Sequence, residues 1–343
     1  LQVPMTISKR VYHVEHQEDC YLAAEDKEIE AMEEEAKTSN YKQEIVWRNV
    51  VIFAILHAAC IYGWYLLFAG IASWKSFFWA FFMTLYSGNC VTAGAHRLWC
   101  HKAYKANFGV KVFLMLGQTI SLQHDIIDWC RDHRVHHKWT DSDADPHNSK
   151  RGFFFSHIGW LMVKKHPKVA EMGKKVDMSD LLSDPVLAFQ RRHYAPLVLL
   201  SILILTAVPV RYWDESVWNA FWVCAVCRLV VQLNMTWIIN SAAHKFGTKP
   251  FDTDISSTDS WFWAIPTNGE AWHNYHHAFP QDYRASEYMY SANLSSMMID
   301  FFAAMGWVWD RKRMSKEAIE RQKTLKGDHS RPLTAAPDFL HDK

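Results

Sequence analysis

VVIFAILHAACIYGWYLLFAGIAS, residues 50–73, runs for 24 residues with one histidine and no charged side chain. An α-helix of that length crosses the hydrocarbon core of a bilayer, which takes about 20 apolar residues. Three further stretches read the same way. SFFWAFFMTLYSGNCVTAGA (76–95) follows after a two-residue break, APLVLLSILILTAVPV (195–210) is short, and VWNAFWVCAVCRLVVQLNMTWIINSAA (217–243) is long enough to project past the membrane surface. The pattern predicts an all-α integral membrane protein with four spans in two hairpins. Its mean hydropathy of −0.17 averages these spans with polar segments.

Lysine and arginine give the orientation. The hairpin turns hold only Lys75 and Arg211, whereas segment 96–194 holds 16 basic residues against 10 acidic ones. The positive-inside rule then puts both termini and 96–194 in the cytosol. Arg228 lies within the fourth span and should face protein or a headgroup. VKVFLMLGQTISLQHDII (110–127) is apolar but interrupted, and is expected at the interface or buried in the cytosolic part rather than across the membrane. The acidic run EDKEIEAMEEE (25–35) is expected to be a solvated surface or part of a disordered tail. The expected organisation is a partly disordered N-terminal tail (1–44), a membrane domain (45–315) whose cytosolic cap comes from 96–194 and 244–315, and a C-terminal tail (316–343). A net charge of +1 carries no global basic footprint for nucleic acid. The seven cysteines show no regular framework; Cys224 and Cys227 form a CxxC inside an apolar run and are read as packing.

Histidine is the compositional outlier, at 19 residues. HRLWCH supplies His96 and His101 directly after the second span. HRVHH supplies His133, His136 and His137. HNYHH supplies His273, His276 and His277, and His244 closes NSAAH at the end of the fourth span, one helical turn after Asn240. At spacings i, i+3 and i+4, the histidines of each HxxHH fall on one side of a helix. Adjacent imidazoles repel when protonated; a metal ion binds their neutral nitrogens and removes that repulsion. Eight or nine histidines are too many for one ion and suit two. Imidazole suits zinc, copper, iron and nickel alike; iron is preferred because a two-metal centre at a membrane surface suits O2 activation. His147 and His157 are candidates for hydrogen bonds behind the ligands, and His57 for a packed membrane residue.

The order HxxxxH, HxxHH, NSAAH, HxxHH, with the flanks TAGAHRLW, DHRVHHKWTDSDADPHN, RGFFFSHIGWL and HNYHHAFP, resembles the acyl-CoA delta-9 desaturases of the endoplasmic reticulum over roughly residues 40–315. The resemblance implies a multi-pass protein of that membrane with a cytosolic cap and two Fe2+ ions. The ions would be held by His96, His101, His133, His136, His137, His244, His273, His276 and His277, with Asn240 acting through water. It implies O2-dependent insertion of a cis double bond into a saturated acyl-CoA. The electrons would come from cytochrome b5 and its NADH-dependent reductase, since no haem or flavin motif is present. It assigns a kinked acyl tunnel to Gln123, Trp129, Thr236 and Trp237, and CoA contacts to Asn49, Arg131, Asp132, Lys164 and Lys165. Chain length would be set near Ala80, Thr84 and Ser87. The chain departs from the family pattern at Asn89 and Cys90, at His124 where Asn is common, and at Ala271 where Gly is common. A di-iron hydroxylase or a desaturase of other regiochemistry, and a non-catalytic metal- or lipid-binding membrane protein, are the alternatives.

Overall fold

The computed structural model describes residues 11–14, 24, 26–38, 41–288 and 290–331. Among these, three helices are long and apolar enough to cross a membrane: Trp47–Phe68, Tyr194–Trp213 and Val217–His244, of 22, 20 and 28 residues. The second expected span begins as the 16-residue helix Trp74–Asn89 and runs without a break into a π-helical segment, Cys90–Cys100. Its regular part is therefore shorter than a full span, and the chain remains helical well beyond residue 95. The first helix starts three residues earlier than hydropathy implied and ends at Phe68, because Gly70 (φ 69°) turns the chain. Ile55, Ile61, Phe68, Phe78, Phe82, Leu199 and Leu203 point outward and are exposed. An apolar exterior of this kind fits a lipid-facing surface.

The two hairpins are tied at their turns. One Glu215 oxygen accepts from the backbone N–H of Ser73 and from Ser76 Oγ, both at 2.8 Å, and Asn219 Nδ2 donates to Ile71 O at 2.9 Å. Arg228 is buried against protein, as its cost in lipid requires, and donates to Ile120 O at 2.8 Å. The apolar stretch after the second helix is not a span. It forms the 13-residue helix Phe108–Ile120, capped by Asn107. That helix lies directly against the π-helical segment: a Cβ at Gly117 would sit 2.4 Å from Cys90 Sγ. The chain then reverses and starts Ile126–Lys138, capped by Asp125, whose side chain accepts from Asp128 N at 3.1 Å.

Short strands supplement the helices: Val11–Val14 pairs in parallel with Arg311–Met314, and Lys105–Ala106 antiparallel with Val308–Trp309. The acidic run is a helix, Asp26–Thr38, whose Glu30, Glu33, Glu34 and Glu35 are exposed while Met32 packs on Val135, Trp139 and Met172. A 13-residue helix this polar is marginal alone. Docking of Met32, with Glu28 accepting from Trp139 Nε1 at 3.1 Å, holds it in place. At the other end, helix Lys316–Lys326 packs Ile319 against Phe251 and Tyr275.

Because Asp125 caps the helix that carries HxxHH, Asp125→Ala is expected to cost about 1 kcal/mol. For a chain of this size that is a fall of roughly 2 °C in thermal midpoint in detergent. An unchanged midpoint would show that packing alone fixes this helix start.

Candidate metal centre

The HxxxxH spacing puts two histidines five residues apart, which on an α-helix places them on different sides. The π-helical segment resolves this. A π-turn closes i→i+5, and the His101 N–H donates to His96 O at 3.0 Å. The two rings lie 4.8 Å apart, centroid to centroid. Helix Ile126–Lys138 carries the second motif on an ordinary α-helix. The third sits on a six-residue helix, His273–Ala278. Its entry is built from Gly269 (φ 97°), where a Cβ would meet Ala292 O at 2.6 Å, and from Asp259. One Asp259 oxygen accepts from the N–H groups of Asn274 (2.8 Å) and Tyr275 (3.2 Å) and so caps this short helix.

The nine histidines do not form one array. His96, His101, His133, His137 and His276 converge in one cluster, and His136, His244, His273 and His277 in another. Each HxxHH is thus divided. The i,i+4 pair His133/His137 serves the first cluster and His136 the second; His273/His277 serves the second and His276 the first. Nε2–Nε2 separations in the first cluster include 2.8 Å for His96–His276 and 3.0 Å for both His137–His276 and His101–His133. In the second they are 3.0 Å for His244–His273, 3.1 Å for His273–His277 and 3.3 Å for His136–His277. Metal–imidazole bonds of about 2.1 Å place two ligands at right angles about 3.0 Å apart. The residues present therefore fit a pair of ions.

Burial holds His101, His133, His137, His273, His276 and His277 well below the usual imidazole range, and the neighbouring imidazoles add to this. Neutral nitrogen is the form that ligates. Three Nδ1 atoms are oriented from behind. His96 faces Glu270 at 2.8 Å, His136 faces both Asp145 oxygens at 3.0 Å, and His244 faces Ser256 Oγ at 2.7 Å. Glu270 is itself gripped by Arg97 at 2.5 Å, and this pairing brings its carboxyl down to about 2 despite burial. Sequence reading missed Glu270 and Asp145; Glu270 stands three residues before His273, and Asp145 inside DADPHN. His147 lies behind His136, its ring 4.4 Å from that ring and its Nδ1 3.4 Å from Asp145 Oδ1. His157 instead bonds Ser241 Oγ and Asn234 Oδ1, away from the clusters.

Asn240 lines both cavities that reach the clusters. The inner cavity, about 100 Å³, is lined by Thr84, Gly88, Val91, Gln232 and Met235 and reaches His96 and His273. The outer cavity, about 330 Å³, runs past Phe53, Leu56, Gln123, Leu233 and Trp237. Trp129, His133, Thr236 and Asn240 line both, so the cavities lie side by side next to the histidines. Here Gln123 Nε2 donates to Thr236 Oγ1 at 2.9 Å, and Trp129 stacks on the His133 ring at 4.8 Å.

The remaining expected contacts divide. Asp132 lines the outer cavity; Lys165 pairs with it, and Arg131 bridges Asp128 and Asp132. Lys164 is exposed and pairs with Glu44 at 2.5 Å. Asn49 is engaged with Leu161 O at 2.8 Å and lines neither cavity. Thr84 lines the inner cavity. Ala80 is buried in a span contact with Val223 and Cys224, and Ser87 donates to Gln232 Oε1 at 3.1 Å. Ala271 is fully buried and its φ is not positive, so a Cβ is accommodated there. His124, at φ 66°, is exposed beside the outer cavity, with its carbonyl accepting from Gln118.

The profile of the fatty acid desaturase family matches residues 72–295, which contain all three histidine motifs. The chain is 51% identical to the Delta(9)-fatty-acid desaturase fat-6 of Caenorhabditis elegans over 317 residues, covering 92% of this chain and 93% of that one. It is 46% identical to the Acyl-CoA Delta-9 desaturase of Acheta domesticus, covering 90% and 87% of the two chains. It is also 46% identical to Stearoyl-CoA desaturase 5 of Bos taurus, with 84% and 86% covered. A family profile spanning nearly two thirds of the sequence, together with relatives of this identity over most of it, shows that the chain belongs to the fatty acid desaturase family.

Proposed function

We propose that this chain is an acyl-CoA delta-9 desaturase. It removes two hydrogens from a saturated acyl chain, while O2, two electrons and two protons become two waters. The observation that carries the reading is the adjacency of two cavities, lined by Thr84, Gly88 and Gln232 on one side and by Phe53, Leu56 and Leu233 on the other, beside two converging sets of Nε2 atoms. The printed names of the relatives, Delta(9)-fatty-acid and stearoyl-CoA desaturases, support the substrate class and the bond position.

His96, His101, His133, His137 and His276 would hold one Fe2+. His136, His244, His273 and His277 would hold the other, with Asn240 reaching it through water. Five nitrogens at one point exceed the four of a tetrahedral zinc site, which supports iron. With O2, bound iron supplies the oxidant that an unactivated C–H bond requires and that acid–base side chains cannot provide. The rest is done by side chains. An acyl chain occupying both cavities would pass between them, and the Gln123–Thr236 hydrogen bond with the Trp129 ring would fix its bend there. A bend held in one place brings one carbon pair to the metals. Trp237 and Phe53 wall the outer limb and exclude water. Arg131, Asp132, Lys164 and Lys165 lie on the side of that limb where the CoA phosphates and adenine would rest.

The same reading makes the helix from Trp74 a span as well, the second of four in chain order. It places both termini and the metal centre on the cytosolic side of the endoplasmic reticulum membrane, and takes electrons from cytochrome b5 and its reductase.

Cells lacking their own desaturase and expressing this chain should convert saturated acyl-CoA to a cis product with the double bond between carbons 9 and 10. His276→Ala should abolish it. A bond elsewhere, or a hydroxyl, overturns the regiochemistry while keeping the metal centre. Thr84→Tyr fills the inner cavity, so the ratio of long-chain to short-chain turnover should fall by about tenfold or more; an unchanged ratio removes Thr84 from the acyl path. Stripped of metal by a chelator, the folded chain keeps its imidazoles neutral. As pH falls through about 6.5, the unfolded chain gains protons that the folded one refuses. The thermal midpoint of the stripped protein should therefore drop between about pH 7 and pH 5. A flat profile would contradict burial of the neutral imidazoles.

A further inference from the structure

The two histidine clusters differ in the charge behind them. The five-histidine cluster has Glu270 on His96 Nδ1, but Glu270 is neutralised by Arg97. That guanidinium is buried and further fixed by Tyr283 O and Ser296 Oγ, both at 3.0 Å. The four-histidine cluster has Asp145 on His136 Nδ1. The Asp145 side chain is 0% exposed, and among the described residues its ion-pair partners are only the His136 and His147 rings. Its oxygens otherwise accept the N–H groups of Asp141 and His147, at 2.9 and 3.0 Å. Asp141, on the same loop, is also buried and meets Ser149 without a lysine or arginine among the described ion pairs. A buried carboxylate is costly unless a cation faces it. At Asp145 the place for that cation is on the far side of His136, where the four Nε2 atoms meet.

We propose that Asp145 is a positioning residue for the four-histidine cluster, and that its unneutralised charge makes this cluster the tighter of two unequal divalent-cation sites. The inference rests on the two-metal reading above. Asp145 acts through His136: accepting from Nδ1–H, it holds Nε2 as the lone-pair nitrogen and raises its basicity. Glu270 orients His96 in the same way, but Arg97 cancels its field.

The test is titration of the metal-stripped full-length protein in detergent with Co2+, followed by visible absorption. Two ions should bind with clearly different affinities. His244→Ala should abolish the tight phase and His101→Ala the weak one. Asp145→Asn keeps the shape and removes the charge. It should weaken the tight phase by about 10- to 100-fold and leave the weak phase within about threefold, which a general loss of folding would not do. Equal affinities in the wild-type chain, a tight phase lost in His101→Ala instead, or equal weakening of both phases in Asp145→Asn would each overturn the inference. The ligand variants decide the order of the sites even if Asp145→Asn does not fold. Uptake of fewer than two ions by the wild-type chain would instead overturn the two-metal reading.

Discussion

Nine imidazoles brought together in a buried space, with their Nε2 atoms about 3 Å apart, form a constraint that the surrounding structure has to meet. Protonated, they would repel one another; neutral and without a cation, they would leave lone pairs facing lone pairs in a low-dielectric interior. A pair of divalent ions would turn this cost into binding energy and would couple folding to metal loading. Much of the cap serves that coupling. Asp125 and Asp259 fix the starts of two ligand-bearing helices, and Arg97 ties the π-helical segment to Tyr283 and Ser296. The division of each HxxHH between two clusters means that neither helix can shift without disturbing both sites. This explains why such short elements can hold a centre in register.

On the proposed reading, the membrane part would place substrate beside that centre. Helix Val217–His244 carries Gln232 and Thr236 along the cavities and ends in Asn240 and His244, so one continuous helical stretch runs from the cavities to a histidine of the four-histidine cluster. At about 1.5 Å per residue its 28 residues exceed the hydrocarbon thickness by several ångströms. The excess is the part that enters the cap. The helix from Trp74 does the same on the other side, with Thr84 on the inner cavity and His96 in the five-histidine cluster.

Much of this was legible in the sequence because periodicity and residue type carry it. Apolar runs gave three helices of spanning length, and the interruption in 110–127 correctly denied it a span. The HxxHH spacing put three imidazoles on one side of a helix, and close packing around Arg228 followed from the cost of its charge. Sequence could not show how the nine histidines divide, because that depends on where two helices cross. Nor did it reveal the π-helical turn, although HxxxxH hints at one: five residues match a π-turn and not an α-turn. The orienting carboxylates were hidden for a different reason. Glu270 and Asp145 act through contacts 174 and 9 residues away along the chain, on His96 and His136. The N-terminal acidic run has the solvated face its composition implied, but composition did not show that Met32 and Ile29 dock it as a helix.

The departures from the family pattern can be weighed on the same terms. Ala271 needs no backbone freedom that a Cβ denies, so the loop before the third motif keeps its course; Gly269, two residues earlier, makes the turn. Cys90 packs where the π-helical segment meets Gly117, a contact that depends on the missing side chain at 117 rather than on the thiol. His124 is different. It adopts a left-handed backbone that histidine tolerates better than most side chains, and holds it through a carbonyl bond to Gln118 while its ring is free at the outer cavity. None of Ala271, Cys90 and His124 stands in either histidine cluster, and of these three only His124 lines one of the two cavities.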